Sequence, residues 1–323
     1  MNSDKKERVN FLQELKSNLN WLFSINNIDD HYVIKIFGIK ICKKYNFSVQ
    51  IPTIIQSGVT EEKRQTPVVV SLTSHPYRIN SVYKTISLLL NQTVKPDRVV
   101  LWLAQEQFKD VEVPDSLQNL EKYGLEIKWV DRDIKSFKKL VPSVKEFPDS
   151  IIITADDDIL YPNNFVESLY SSYLKNPDFI HANRAFLIKQ HKKDGKFYIC
   201  SRNYVYNKTY LPRFRNELMT GYGTLFPPNS LNKTILNDEI FMKEIPTNDD
   251  IWFWAMAVLN NCKIMVNKNT YQLHLVEDKS SQEFSLKNMN RNDTTTGMSG
   301  RDGVNKMCEL FPVIKERLLQ EKD

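Results

Sequence analysis

Three aspartates stand side by side in SIIITADDDILYP (residues 150–162), directly after four residues suited to a buried strand. Neighbouring carboxylates raise one another's pKa and resist burial. A divalent cation removes that conflict. Mg2+ and Mn2+ prefer oxygen ligands, often one or two protein carboxylates with substrate phosphates completing the shell. In an extended segment, residues i and i+2 share a side. Asp156 and Asp158 can therefore face one ligand while Asp157 faces elsewhere. A solvated turn or helix cap is the plainer reading, but the position after a β-run favours a metal or nucleotide.

A second acidic pair, Asp249 and Asp250, opens TNDDIWFWAMAVLNN (247–261). Asn and Asp are preferred helix caps and suit the macrodipole, so both could be structural. Thr247 or Asn248 can already cap this helix, which leaves the second aspartate without that reason. Two cations lie upstream: Arg78 in SLTSHPYR and Lys139 in SFKKLVP. Each suits a phosphate, and each could equally be a solvated surface charge. TGYGTLFPP (220–228) holds Gly221 and Gly223, two of only nine glycines, which indicates a backbone requirement. Tyr222, Phe226, Trp252 and Trp254 build either a sugar-facing wall or part of the core.

Position depends on the elements around these residues. PVVVSL, DRVVLWL, LEIKWV and SIIIT read as strands. Helical spacing in INSVYKTISLLLN, PDSLQNLEKYG and SFKKLVPSVKEF falls between them, with Pro142 a break or restart. This alternation predicts an α/β fold with βαβ units and a doubly wound, mainly parallel sheet with flanking helices. Ligands of such sheets bind at the carboxyl ends of the strands. Thr73 and Arg78 in SLTSHPYR, Asp131 in VDRD (130–133) and the acidic triplet then share one rim. A helix NNFVESLYSSYLKN, shorter strands over 178–225 and a returning strand CKIMV follow. Residues 277–303 read as a mobile polar loop before an amphipathic closing segment.

Residues 1–60 form a leader. Val9, Leu12, Leu15, Leu19 and Leu22 recur at helical spacing beside Lys5, Lys6, Arg8 and Lys16. Such a helix can lie on an anionic membrane or pack on the main domain. YVIKIFGIKICKKYN alternates like a hairpin, and the polar residues 56–66 read as a linker. The expected division is 1–60, 61–276 and 277–323.

The 323 residues suffice for one large α/β domain or two ordinary ones. Composition is that of a folded globular chain, with 41% hydrophobic and 26% charged residues. A net charge of +5 suits a nucleotide, a phosphoglycolipid or an anionic membrane face. The absence of zinc-finger and RNA-binding signatures argues against nucleic acid. Cys42, Cys200, Cys262 and Cys308 are scattered, with no Cys-x-x-Cys pair, which fits a reducing compartment. No run approaches the roughly 18 apolar residues of a membrane span. The expected location is the cytoplasm, with peripheral association at the inner face of the cell membrane.

SIIITADDDILYP resembles the strand and Asp-x-Asp motif of GT-A fold nucleotide-sugar glycosyltransferases. VVVSLTSHPYRINSVYKTISLLLNQTVKPDRVVLWL resembles their first βαβ unit, GYGTLFPP their glycine-containing loop near the acceptor and donor sugar, and TNDDIWFWAMA their acidic motif at a helix start. The series spans roughly residues 67–275. It is similar to that of bacterial glycosyltransferases of capsule and lipopolysaccharide synthesis, and to exostosin-like and family 2 enzymes. The resemblance implies metal-dependent transfer of a hexosyl or N-acetylhexosaminyl group from a nucleotide sugar, UDP-sugars being favoured, to a glycan or lipid-linked acceptor. It implies Mn2+ or Mg2+ held by Asp158, Asp156 and His274, where His274 could instead be a satisfied core residue. Thr73, Arg78, Asp131, Lys139, Asp156, Asp157, Gly221 and Gly223 would serve the donor. Asp250, with Asp249 behind it, would be the base in an inverting enzyme; in a retaining one the pair would act otherwise. A cation-dependent glycan-binding or assembly protein is the non-enzymatic alternative. A nucleotidyltransferase would want a glycine-rich loop where SLTSHPYR has none. An aspartate-nucleophile phosphatase would want Thr at position 160, which is Leu.

Overall fold

A computed structural model describes residues 23–28, 31–36, 39–44, 49–204, 211–267, 276–277 and 300–321. Contacts divide the chain into two units, Met1–Gln50 and Ile51–Asp323. The first holds an antiparallel meander of β1 (Phe23–Ile28), β2 (His31–Ile36) and β3 (Ile39–Lys44), with Phe23 opposite Ile36 and Ile36 opposite Ile39. The expected helix over residues 9–22 lies outside the described residues.

Residues 56–66 are not a free linker. The Gly58 N–H donates to the Tyr123 carbonyl at 2.7 Å, and the Thr60 N–H to that of Pro96 at 2.9 Å. Arg64 donates to the Lys95 carbonyl at 2.6 Å and pairs with Asp97 at 2.5 Å. Asp97 also accepts from the Val68 N–H, at 2.7 Å. These bonds tie the stretch into the second unit, so the boundary falls near residue 50 rather than 60.

The second unit is built on a seven-stranded sheet. Its strands are β4 (Val68–Thr73), β5 (Arg98–Ala104), β6 (Leu125–Val130), β7 (Ile151–Thr154), β9 (Ile180–Ala182), β13 (Thr224–Phe226) and β14 (Ile264–Val266), in the order β14-β9-β13-β7-β4-β5-β6. All run parallel except β13, which is antiparallel to both neighbours. Strands covered on both faces must be apolar throughout. Val68, Val69, Val70 and Leu72 accordingly have no exposed surface. Val68, Val70 and Leu72 face one core and Val69 the other, as the two-residue period requires. A short pair, β8 (Ile159–Leu160) with β15 (Val276–Glu277), closes directly after the acidic triplet. A second sheet places β10 (Ala185–Gln190) between β11 (Phe197–Tyr204) and β12 (Asn216–Leu218).

The helices α1 (Tyr83–Leu89), α2 (Asp115–Glu121), α3 (Val141–Glu146), α4 (Phe165–Lys175), α5 (Asp238–Glu244), α6 (Asp249–Leu259), α7 (Gly300–Leu310) and α8 (Pro312–Gln320) complete the unit. None is long and apolar enough to cross a membrane. SFKKLVPSVKEF divides into a 3-10 turn, Lys135–Lys139, and α3, with Pro142 in the first turn of α3, where its missing N–H costs nothing. Ser71 of β4 fixes this turn. Its hydroxyl donates to the Lys139 carbonyl at 2.7 Å and lies 2.8 Å from the Ser143 hydroxyl. The Trp102 indole donates to Ser143 at 2.7 Å.

Trp252 and Trp254 belong to the core. Both are fully buried, with their indole N–H groups donating to the carbonyls of Ile235 and Phe214. Phe226 is buried with them. The sugar-facing wall therefore loses three of its four members; α6 packs against β12, α7 and α8.

Candidate active site at the rim of the sheet

The repulsion within the triplet is met by two buried cations. Asp157 turns inward, accepting from the Ser74 hydroxyl at 2.7 Å and from Arg78 Nη1 at 2.6 Å. Arg78 Nη2 reaches Asp158 at 3.1 Å. Burial works against the Arg78 charge, but Asp157 and Asp158 outweigh it and hold the guanidinium above its ordinary range. The triplet's backbone is fixed as well, since the Thr85 hydroxyl on α1 donates to the carbonyls of Asp157 and Ile159 at 3.2 and 3.0 Å.

Asp156 turns to Lys139, whose ammonium donates to its Oδ1. The same ammonium lies 3.1 Å from Asp249 Oδ2 and 3.2 Å from the Thr220 hydroxyl. Only 5% of the Lys139 side chain is exposed. Burial opposes its charge, yet Asp156, Asp249 and Asp250 together keep it protonated well above the usual lysine range. Lys139 thus joins the acidic triplet, the glycine loop and the start of α6.

The two loop glycines meet different requirements. At Gly221 a Cβ would stand 2.1 Å from Asp156 Oδ2, so its absence allows the loop to close on the carboxylate. Gly223 has φ +95°, and a Cβ there would stand 2.3 Å from the Phe165 ring. Buried Tyr161 bridges the two segments. Its hydroxyl accepts from the Asp156 N–H at 2.8 Å and donates to the Gly221 carbonyl.

Asn248 caps α6 by accepting from the Ile251 N–H at 3.2 Å, so neither aspartate serves as the cap. Asp249 Oδ1 accepts from the Ser136 hydroxyl at 2.9 Å. Asp250 Oδ1 accepts from the Thr220 N–H at 2.9 Å and from its hydroxyl. Burial first and Asp249 second push the Asp250 pKa up to about 7, against the pull of Lys139 and Thr220. A carboxyl poised there can take a proton near neutral pH.

Asp156, Lys139, Gly221, Asp249 and Asp250 converge in this way, and Arg78, Asp157 and Asp158 form the adjoining group. Thr73 is tied to the sheet through the Trp102 carbonyl, at 2.8 Å. Asp131 is exposed on the bend after β6. Its neighbour Asp133 is the anchored carboxylate there, receiving the Lys138 ammonium, the Gln107 amide at 2.9 Å and the Lys135 N–H at 2.9 Å. His274 lies outside the described residues. Ser74, Ser136 and Thr220 escaped sequence reasoning because each acts across a long sequence separation, and Tyr161 because its second partner, Gly221, is distant; Lys138, half of a Lys-Lys pair, was missed although Asp133 is close in sequence.

Among the described residues, no three His, Cys, Asp or Glu side chains are arranged to hold a metal. Asp157 is enclosed by Ser74 and Arg78 and does not suit a ligand role. Asp158 and Asp156 remain partly exposed, at 16% and 36% of their side chains. They supply the hard oxygens that Mg2+ and Mn2+ accept. The residues present therefore fit an ion shared with a substrate diphosphate rather than one caged by protein alone.

No protein-family profile and no curated protein matches the chain. Among solved structures, residues 1–349 of TarS from S. aureus share 13% identity at a TM-score of 0.43, covering 77% of this chain and 71% of that one. GalNAc-T7, with UDP, GalNAc and Mn2+, shares 10% at 0.41, over 64% of this chain and 43% of that one. Likenesses this distant bear on neither family nor activity.

Proposed function

We propose that the chain is a glycosyltransferase moving a sugar from a nucleotide-sugar donor to a hydroxyl of a glycan or lipid-linked acceptor. The convergence of three segments on Lys139 supports this most directly: a donor-type acidic triplet, a loop pared down with glycine, and the start of α6, where Asp249 meets the ammonium beside Asp250, the carboxyl held near neutrality. The acceptor oxygen attacks the anomeric carbon as the carbon–phosphate oxygen bond breaks, and the diphosphate leaves with the electron pair. Asp250 takes the acceptor's proton. Thr220 holds Asp250 in place through two hydrogen bonds, and Lys139 holds Asp249 and Asp156 at fixed separation from it. Asp158 with Asp156 would hold Mn2+ or Mg2+, whose charge offsets that of the leaving diphosphate.

The motif series favours a UDP-sugar, a hexosyl or N-acetylhexosaminyl group and a role in bacterial capsule or lipopolysaccharide synthesis. Scattered cysteines and the basic leader favour the cytoplasmic face of the membrane. Incubating the chain with a panel of nucleotide sugars, with Mn2+ or with chelator, and following the anomeric product by NMR tests the reading. We expect metal-dependent release of nucleoside diphosphate that Asp250→Asn abolishes. Full turnover in that variant would remove Asp250 as base, and no turnover of any sugar would remove the function.

A further inference from the structure

One buried carboxyl near this site has no role in the reaction above. Glu217 on β12 is 3% exposed. Its Oε2 is sealed from solvent and, among the described residues, has no hydrogen-bond partner. Its cross-strand neighbour on β10, Phe186, offers no polar group. Arg215, two residues earlier, donates Nε and Nη2 to the Leu318 carbonyl at 3.0 and 2.8 Å. β14, which lies alongside β12, contributes only Ile264, Met265 and Val266. The charged groups that face Glu217 come from α6, which packs on β12: Asp250 and Asp249. Both are acids, and the nearby cation, Lys139, pairs with Asp249 and Asp156.

An isolated carboxylate cannot stay ionised in such surroundings. Burial first, then Asp250 and Asp249, raise the Glu217 pKa well above the ordinary carboxylate range. Glu217 also stands three residues ahead of Thr220, the residue that holds Asp250. We propose that Glu217 is a positioning residue of the base site, a carboxylic acid kept neutral so that Asp250 is the carboxyl free to ionise. This rests on the reading of Asp250 as base.

Neighbouring acids titrate as a pair. Loss of the Glu217 proton places a buried anion near Asp250. That raises the proton affinity of Asp250 further and pushes β12 away from α6, displacing Thr220. The base site thereby acquires an alkaline limit. No bond to substrate forms or breaks at Glu217, and the acceptor's proton still goes to Asp250.

The test compares wild type with Glu217→Gln in three measurements. Infrared difference spectra at neutral pH should show a protonated-carboxyl band that the variant lacks. The folded-state pKa of Glu217 lies above its unfolded value, so its contribution to stability is present below the unfolded pKa and lost as pH rises. Urea midpoints should therefore coincide near about pH 4, with the variant the more resistant by about pH 9. With UDP-sugars as probes, the alkaline limb of transfer should move up by about one pH unit or more in the variant, its acidic limb staying in place. Absence of the band together with superimposable stability curves would overturn the proposal whatever the enzyme's activity. A band with an unmoved alkaline limb would reduce Glu217 to a space-filling group and overturn the positioning role. Absence of turnover with the band present would overturn the base reading and this role with it. Glu217→Leu, which also removes the titration, should reproduce the urea result; failure of both variants to fold would overturn the proposal.

Discussion

Lys139 and Asp249 lie 3.1 Å apart, binding the turn ahead of α3 to the first residue of α6 across 110 positions of sequence. Asp156 and Thr220 share the same ammonium. Replacing it with an apolar group removes a buried cation and leaves Asp156 and Asp249 facing one another without it. Lys139→Met should lose about 3–5 kcal/mol of stability, read as a lowered urea midpoint, and should abolish transfer. Adding Asp249→Asn to Lys139→Met should restore part of the stability, because one stranded charge is removed.

Asp157 and Asp158 should separate by variant. Asp157 is enclosed with Arg78 and Ser74, so Asp157→Ala leaves a buried guanidinium short of a partner and should cost about 3–5 kcal/mol. Asp158→Ala should cost far less stability. Calorimetric titration with Mn2+ and UDP should show binding lost in Asp158→Ala. Unchanged binding there would rule Asp158 out as the metal-holding carboxylate.

The two glycines should fail for different reasons. Gly221→Ala drives a methyl into the Asp156 carboxylate and should cost about 1–3 kcal/mol. Asp156→Ala in the same chain should relieve that cost. Gly223→Ala carries a positive φ and a clash with Phe165, so Asp156→Ala should bring it no relief. Thermal melts of the four proteins decide the point.

Transfer should depend on pH through Asp250. The base form is the ionised one, so kcat/KM should rise through about pH 7 and hold until the alkaline limit set by Glu217. Its folded pKa is raised above the unfolded value, so its contribution to stability is complete below the unfolded pKa and is lost on the way to about 7. Thr220→Val removes a hydrogen bond that favours the ionised carboxylate. The acidic limb should then move to higher pH.

The strands from β4 to β7 were legible because a parallel sheet buried on both faces demands unbroken apolar runs such as VVVSL and IIIT. The electrostatic conflict in the triplet was also legible, whereas its resolution was not. Arg78 and Lys139 were recognised as cations near the rim, but nothing in sequence says that one spans two aspartates while the other reaches α6. Trp252 and Trp254 point out of opposite sides of a helix, and only the strand and helices packed around α6 reveal that both are buried. Asp131 and Asp133 are equivalent in VDRD. The choice between them is made by Lys138 and Gln107, which the fold brings from two different segments.

The Tyr161 phenol touches the backbone of Asp156 on one side and that of Gly221, 60 residues on, on the other. Those two segments are therefore one mechanical part. The glycine loop cannot lift away from the acidic triplet without stranding a buried hydroxyl, so the loop and triplet must open together or stay shut together. Sequence changes that loosen either segment will be felt as imprecision in the other, and a single phenolic oxygen sets the tolerance of both.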